Sequence, residues 1–101
     1  YHSDMTRTVF MKEPSSVMHE IYMLVLEAQQ TALKICQPGT SLADLDDAAR
    51  SVITAAGYGK EFSHSLGHGV GLEIHELPVI RANIAGRLEP GMVITIEPGI
   101  Y

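Results

Sequence analysis

The longest regular pattern in the chain is a helical repeat of apolar residues between Val17 and Cys36. Apolar side chains recur there at intervals of three or four residues, which places them on one face of an α-helix. Ser15 or Ser16 can cap the first turn, and the run Gln-Pro-Gly at 37–39 ends the helix. The apolar positions are Val17, Ile21, Leu24, Val25, Ala28, Ala32 and Ile35.

A second helical pattern begins at Ser41, where Asp44 follows in the spacing of a capping box, and it stops at Gly57 and Gly59. Its expected buried stripe is Leu42, Leu45, Ala49, Val52, Ile53 and Ala56. Three acidic residues fall in its first turns, where negative charge meets the positive end of the helix dipole. We therefore expect solvent-exposed carboxylates at Asp44, Asp46 and Asp47.

Alternation of apolar and polar residues predicts three strands outside the helices. They cover residues 1–11, residues 70–75 and the run from Met92 to Glu97. A loop is predicted at 83–86 and a turn at 88–91. Glycines at three alternate positions make a helix unfavourable from residue 65 to residue 72: Gly67, Gly69 and Gly71.

Composition bounds the chain to one small domain and excludes several partners. It has 101 residues and a formal net charge of -5, with seven basic residues scattered along it, so no nucleic-acid footprint is expected. No apolar run approaches the ~20 residues that span a membrane. The single cysteine, Cys36, forms no internal disulfide and suits a reducing cytoplasm. The chain lacks an initial Met and opens in a strand pattern, so we expect a piece of a longer polypeptide.

The chemistry concentrates in residues 62–78, which hold three of the five histidines among glycines. His64 and His68 stand four apart, a spacing that chelates one metal ion only on a helix, and the glycines argue against a helix. We expect His68 to reach a metal and His64 to line the approach. The glycines would let a substrate or a neighbouring strand come close to the backbone. His19, within the first helix, is interpreted as a surface residue.

Two carboxylates, Asp4 and Glu97, fall on predicted strands of apolar and β-branched residues, where a charge needs a partner. The partner is either a metal ion or one of three arginines: Arg7, Arg81 or Arg87. Oxygen ligands with one imidazole suit Mn, Co, Fe or Zn. Two such ions would supply a hydroxide nucleophile and a Lewis acid. His75 could donate a hydrogen bond to a developing oxyanion or to a leaving amine.

Four segments resemble the pita-bread metallopeptidases, a family that includes methionine aminopeptidase, aminopeptidase P and prolidase. They are residues 3–8, 64–71, 74–78 and 90–101, which follow the family's order and span nearly the whole chain. His64, four residues before His68, and the ending Glu-Pro-Gly-Ile-Tyr resemble the Xaa-Pro branch. The resemblance implies an α+β fold: a curved, mainly antiparallel sheet with two helices on its outer face. Residues 1–101 would then be part of a catalytic domain, cut at both ends.

The resemblance also implies a site with two divalent ions, held by two Asp, one His and two Glu. By motif, Asp4 resembles the second Asp, His68 the His and Glu97 the first Glu. The other two ligands would lie outside residues 1–101. His64 and His75 resemble the histidines that contact substrate and assist proton transfer. Manganese is the leading candidate, with cobalt or zinc as alternatives.

The implied function is metal-dependent hydrolysis of the peptide bond that precedes proline, in a protein that could associate with identical copies. The implied substrate is a peptide with proline after the scissile bond, with no nucleic-acid or membrane partner. Xaa-Pro dipeptidase and aminopeptidase P both remain open. The alternatives are a methionine aminopeptidase and a non-catalytic pita-bread binding module. With three ligands of five, the 101 residues alone should bind Mn or Co weakly and cleave little.

Overall fold

A computed structural model describes all residues from 1 to 101 and contains two helices followed by two short strands. The elements are α1 (Ser16–Ile35), α2 (Leu42–Ala55), β1 (Gly67–Gly69) and β2 (Glu76–Ile80). The two strands pair antiparallel. α1 packs against α2, and α2 packs against β2, so α2 is the central element. Neither helix combines the length and the apolar character that a membrane crossing requires.

Both helices begin at the serines that the sequence marks as caps. The Ser15 hydroxyl accepts a hydrogen bond from the backbone N–H of Met18 at 3.2 Å. The Ser41 hydroxyl accepts one from the backbone N–H of Asp44 at 3.3 Å. Each cap satisfies a donor that the first helical turn leaves without an intrahelical partner. Both helix predictions are confirmed.

The core lies between the facing surfaces of the helices and the segments that follow them. α1 buries only Ala28 and Ala32, two small residues one turn apart that let α2 come close. The predicted α2 stripe is buried at four positions, but Val52 is half-buried, and Ala56 is exposed as the C-cap residue just beyond the last turn. The main core cluster is Ala28, Ala32, Leu42, Leu45, Ala49, Ile53, Phe62, Leu66, Ile80 and Leu88.

Truncating the centre of this core should destabilise the fold. Leu45 is 0% exposed, so Leu45→Ala removes buried methyl groups and leaves a cavity. We expect a loss of about 2–5 kcal/mol in the free energy of unfolding, measured by chemical denaturation. Leu33, on α1, is 53% exposed, and Leu33→Ala should change that free energy by less than about 0.5 kcal/mol. Equal effects of the two substitutions would contradict this description of the core.

The predicted strand at 1–11 is wrong. All eleven residues are exposed, and the only backbone–backbone hydrogen bond of this segment joins the His2 N–H to the Gly71 carbonyl at 2.8 Å. A strand requires a ladder of such bonds, and these residues have no neighbouring strand in this chain.

The predicted strand at 70–75 is also wrong, because these residues form the bend that connects β1 to β2. Gly69 pairs with Glu76, which closes the connection. Within it, the Gly71 N–H donates to the Glu73 carbonyl at 3.0 Å. The Glu73 N–H donates to the Glu76 carboxylate at 3.2 Å. These local bonds bend the chain, so the alternation of apolar and polar side chains does not mark a strand here.

The segment Met92–Glu97 runs antiparallel to residues 66–70, although only Ile94 forms a bridge, to Gly69. Three backbone bonds of 2.8–3.0 Å join the two segments: Val70 N to Val93 O, Thr95 N to His68 O and Glu97 N to Leu66 O. The prediction of a strand at 92–97 is therefore wrong, since only one bridge forms. The antiparallel pairing of this segment with residues 66–70 nevertheless places residue 97 beside residue 68.

Two glycines allow the backbones to approach this closely. A Cβ at Gly67 would lie 2.7 Å from the carbonyl carbon of Thr95, and a Cβ at Gly69 would lie 2.7 Å from that of Leu77. Real Cβ atoms do not come that close to backbone, so only glycine fits at either position. The prediction that glycines admit a neighbouring segment is confirmed at both sites.

Candidate metal centre

His68, between the two glycines of β1, presents one ring nitrogen as a free acceptor. Its Nδ1 lies 2.9 Å from the carbonyl oxygen of Gly69. A carbonyl oxygen only accepts hydrogen bonds, so Nδ1 carries the hydrogen. In the neutral ring the lone pair is then on Nε2. A backbone carbonyl that fixes the tautomer in this way is the usual support of a metal-binding histidine.

Two carboxylates face that lone pair. Glu97 Oε1 lies 3.0 Å and Asp4 Oδ2 lies 3.4 Å from His68 Nε2. Three acceptors that converge on one point repel each other unless a cation stands between them, either a proton on Nε2 or a metal ion. Neither carboxylate pairs with an arginine. The structure therefore brings Asp4, His68 and Glu97 together, and their donor set suits a divalent metal ion.

His75 joins this cluster from the bend between the strands. Its ring centroid lies 4.4 Å from that of His68. One ligand atom each from Asp4, His68 and His75 lies within 4.8 Å of the others, and Glu97 is not a member of this tighter group. The direct contact of Glu97 with His68 Nε2 is nevertheless shorter than that of Asp4. His75 is exposed, so its ring can meet a bound molecule as well as the cluster.

The hydroxyl of Thr95 forms hydrogen bonds to both Glu97 and the backbone of His68. Its Oγ1 donates to Glu97 Oε1 at 2.8 Å and accepts from the backbone N–H of His68 at 3.0 Å. The hydroxyl thus holds the carboxylate of Glu97 and the backbone of His68 at a fixed separation. The donated hydrogen bond also offsets part of the negative charge on Glu97.

His64 lies apart from the cluster. Its Nδ1 donates to the Ser65 carbonyl at 2.7 Å, which leaves Nε2 to accept from the Tyr101 hydroxyl at 3.2 Å. The ring stands edge-on between the aromatic rings of Phe62 and Tyr101. His64 and His68 therefore do not converge on one point, as the glycines between them predict.

The family model described as metallopeptidase family M24 matches residues 1–101. This chain belongs to the metallopeptidase family M24. The Xaa-Pro dipeptidase of Pyrococcus horikoshii is 52% identical over 101 residues, which is all of this chain and 29% of that relative. The chain thus spans 29% of the length of the curated relatives it matches first.

Solved structures carry the same fold. The prolidase from Pyrococcus furiosus matches with a TM-score of 0.92 and 53% identity over 94% of this chain and 28% of that one. The X-Pro aminopeptidase from Thermotoga maritima matches with a TM-score of 0.94 and 48% identity over 98% of this chain and 28% of that one. These matches confirm the prediction of a partial α+β pita-bread fold.

The prediction that Asp46 is a solvent-exposed charge is also wrong for this M24 chain. Asp44 and Asp47 are exposed as expected, but Asp46 is 0% exposed and forms an ion pair with Arg50, one turn further along α2. The hydrogen bond to Asp46 raises the pKa of Arg50 above its usual value, so the arginine stays charged. The i, i+4 spacing of an acid and a base was the available sequence signal.

His2 is a second residue that the sequence gave little reason to choose. Its Nδ1 donates to the Leu72 carbonyl at 3.0 Å, and its backbone N–H donates to Gly71. Together these two bonds attach the first residues of this M24 chain to the bend that carries His75. Asp4 follows two residues later, so the attachment brings its carboxylate to the cluster.

Proposed function

We propose that this chain is part of the catalytic domain of a Xaa-Pro metallopeptidase, which hydrolyses the peptide bond preceding proline. Support comes from its relatives: an Xaa-Pro dipeptidase, a prolidase and an X-Pro aminopeptidase each match it at 48–53% identity. The chain spans less than a third of each of them, so its activity is assigned to the complete protein. The lone half-buried cysteine suits a cytoplasmic location for that protein.

The observation that carries the proposal is the free lone pair of His68 facing two carboxylates. Asp4, His68 and Glu97 would hold divalent metal, with manganese first and cobalt or zinc as alternatives. The family pattern adds an Asp and a Glu from outside residues 1–101, which completes a site for two ions. When bound, the ions would polarise the substrate carbonyl and lower the pKa of water.

Two further histidines, His75 and His64, would contact the substrate or transfer protons. His75 is exposed beside His68, so its ring can donate a hydrogen to the carbonyl oxygen or to the departing amine. His64 would line the substrate pocket, and its ring is held in place by Tyr101. His64 Nδ1 donates to the Ser65 carbonyl, so Nε2 is a hydrogen-bond acceptor. A substrate group that displaces the Tyr101 hydroxyl from Nε2 would therefore have to be a donor.

A substrate panel tests the proposed function on the complete protein. With Mn²⁺ present, we expect cleavage of an Xaa-Pro dipeptide or of a longer peptide with proline second, and removal of the activity by a chelator. The length preference separates a dipeptidase from an aminopeptidase. Removal of Met from Met-Ala with no Xaa-Pro cleavage would instead identify a methionine aminopeptidase. No cleavage of any peptide would favour a binding module and would contradict the proposal.

The hydroxyl of Thr95 should matter for metal binding. Thr95→Val removes the donor to Glu97 and the acceptor for the His68 N–H while keeping a similar shape. Loss of a hydrogen bond that orients a metal ligand costs about 10–100-fold in affinity, so we expect Mn²⁺ to bind at least about 10-fold more weakly by calorimetry. Thr95→Ser keeps the hydroxyl and should stay close to the wild type. Equal affinities for the Val and Ser variants would show that the hydroxyl has no such role.

A further inference from the structure

The Asp46–Arg50 ion pair on α2 forms hydrogen bonds to the loop at residues 62–66. Arg50 Nε donates to Asp46 Oδ2 at 2.7 Å, and Nη2 donates to Oδ1 at 3.0 Å, so the pair is bidentate. Asp46 is 0% exposed and the Arg50 side chain is 25% exposed. A buried ion pair contributes little to stability by itself, because desolvation offsets the attraction. Its remaining hydrogen bonds therefore indicate what it does.

Those bonds all go to the backbone of the loop that carries His64 and leads into β1. Arg50 Nη1 donates to the Phe62 carbonyl and Nη2 to the His64 carbonyl, both at 2.8 Å. The Leu66 N–H donates to Asp46 Oδ1 at 3.1 Å. The guanidinium also lies 4.0 Å from the centre of the Phe62 ring. Every second residue from 62 to 66 is thus tied to α2.

This attachment continues into the candidate metal centre. The Leu66 carbonyl accepts the Glu97 N–H at 2.9 Å, and two residues later the His68 carbonyl accepts the Thr95 N–H at 2.8 Å. A shift of residues 62–66 would therefore change the register between His68 and Glu97. The side chain of Leu66 is itself 0% exposed, so the core resists any such shift.

We infer that Asp46 and Arg50 are positioning residues of the metal site, which act by fixing residues 62–66 on α2. This inference rests on the proposed metal-binding function. The ion pair has no hydrogen bond to any of the three proposed metal ligands, Asp4, His68 and Glu97. It fixes the backbone of the loop that carries His64 and leads to His68. Through the bond between the Leu66 carbonyl and the Glu97 N–H, it also fixes the position of Glu97.

The matched substitutions are Arg50→Lys and Arg87→Lys in the complete protein. Lysine keeps the charge opposite Asp46, but its single ammonium cannot hold the carboxylate and both carbonyls at once. Arg87 likewise donates to a backbone carbonyl, that of Gly39 at 2.8 Å, but has no bond to the loop at 62–66. Both variants lose a guanidinium–carbonyl bond, and only Arg50→Lys loosens the loop that leads to His68.

Three measurements separate positioning from general stability: the Mn²⁺ dissociation constant at 25 °C, the thermal midpoint, and amide hydrogen exchange of Leu66 and Glu97 in metal-free protein. For Arg50→Lys we expect both amides to exchange at least about 10-fold faster and Mn²⁺ to bind about 10-fold more weakly. Arg87→Lys should match the wild type in all three. A lower midpoint with unchanged Mn²⁺ affinity in Arg50→Lys would overturn the inference.

A second variant, Asp46→Asn, covers the case in which Arg50→Lys does not fold. Asparagine still accepts from Leu66 but loses the charged bidentate bond to Arg50, so Mn²⁺ affinity should fall by about the same factor. Unchanged affinity in this variant would also overturn the inference. If the wild type itself binds no Mn²⁺, the proposed function fails, and the inference fails with it. If the wild type binds Mn²⁺ and both variants bind it as tightly, the inference fails but the proposed function stands.

Discussion

Replacing His68 with alanine should reduce both the Mn²⁺ affinity and the proposed Xaa-Pro hydrolysis of the complete protein by more than about 100-fold. Loss of a residue that only hydrogen-bonds to a metal ligand already lowers metal affinity or activity by about 10–100-fold. His68 is itself a proposed ligand, and both carboxylates converge on it. Without its ring, Asp4 and Glu97 lose the nitrogen atom that both of them contact. Calorimetry with Mn²⁺ and initial rates on an Xaa-Pro peptide measure the two effects.

The control for this substitution is His19→Ala. His19 is an exposed histidine on α1, and its backbone N–H bonds to Ser15 within the first turn. The variant should bind Mn²⁺ and cleave peptide as the wild type does. If His68→Ala kept wild-type Mn²⁺ affinity, His68 would not be a metal ligand, and the proposed site would be wrong.

Gly67→Ala should damage both stability and metal binding. The added Cβ would lie 2.7 Å from the carbonyl carbon of Thr95, and no side-chain rotation relieves a clash with backbone. The segment at 92–97 must move away from β1, which breaks the bonds that bring Glu97 to His68. We expect a loss of about 3 kcal/mol in the free energy of unfolding, with a fall in Mn²⁺ affinity.

Gly39→Ala provides the comparison. Gly39 has a φ of +92° and nothing within 4 Å of an added Cβ, so the substitution strains only the local backbone. It should cost about 1–2 kcal/mol in denaturation and leave Mn²⁺ affinity unchanged. A Gly67→Ala protein with wild-type Mn²⁺ affinity would show that the close approach of residues 67 and 95 is not needed to assemble the cluster.

The helices could be predicted from sequence because their determinants are local. The caps at Ser15 and Ser41 lie within three residues of the donors they satisfy, and the apolar spacing follows the helical repeat. The identities of Asp4, His68 and Glu97 as a group could also be predicted, because the motifs around them are long. Their convergence is a property of the structure, not of any one motif.

The strands and the burial of Asp46 could not be predicted because they depend on partners distant in sequence. Residues 1–11 alternate like a strand, yet no ladder forms along them in this chain. Asp46 resembles its exposed neighbours in sequence, and its burial depends on Arg50 together with three backbone groups of the loop at 62–66. Such a network becomes visible only when α2 and that loop are seen together.

Anomalous diffraction from crystals of the complete protein grown with Mn²⁺ locates the metal ion relative to Asp4, His68 and Glu97. We predict a manganese peak about 2 Å from His68 Nε2, with a carboxylate oxygen of Asp4 and one of Glu97 at similar distances. A peak elsewhere, or a centre with no manganese in which His68 is simply paired with Glu97, would show that these three residues do not hold the metal.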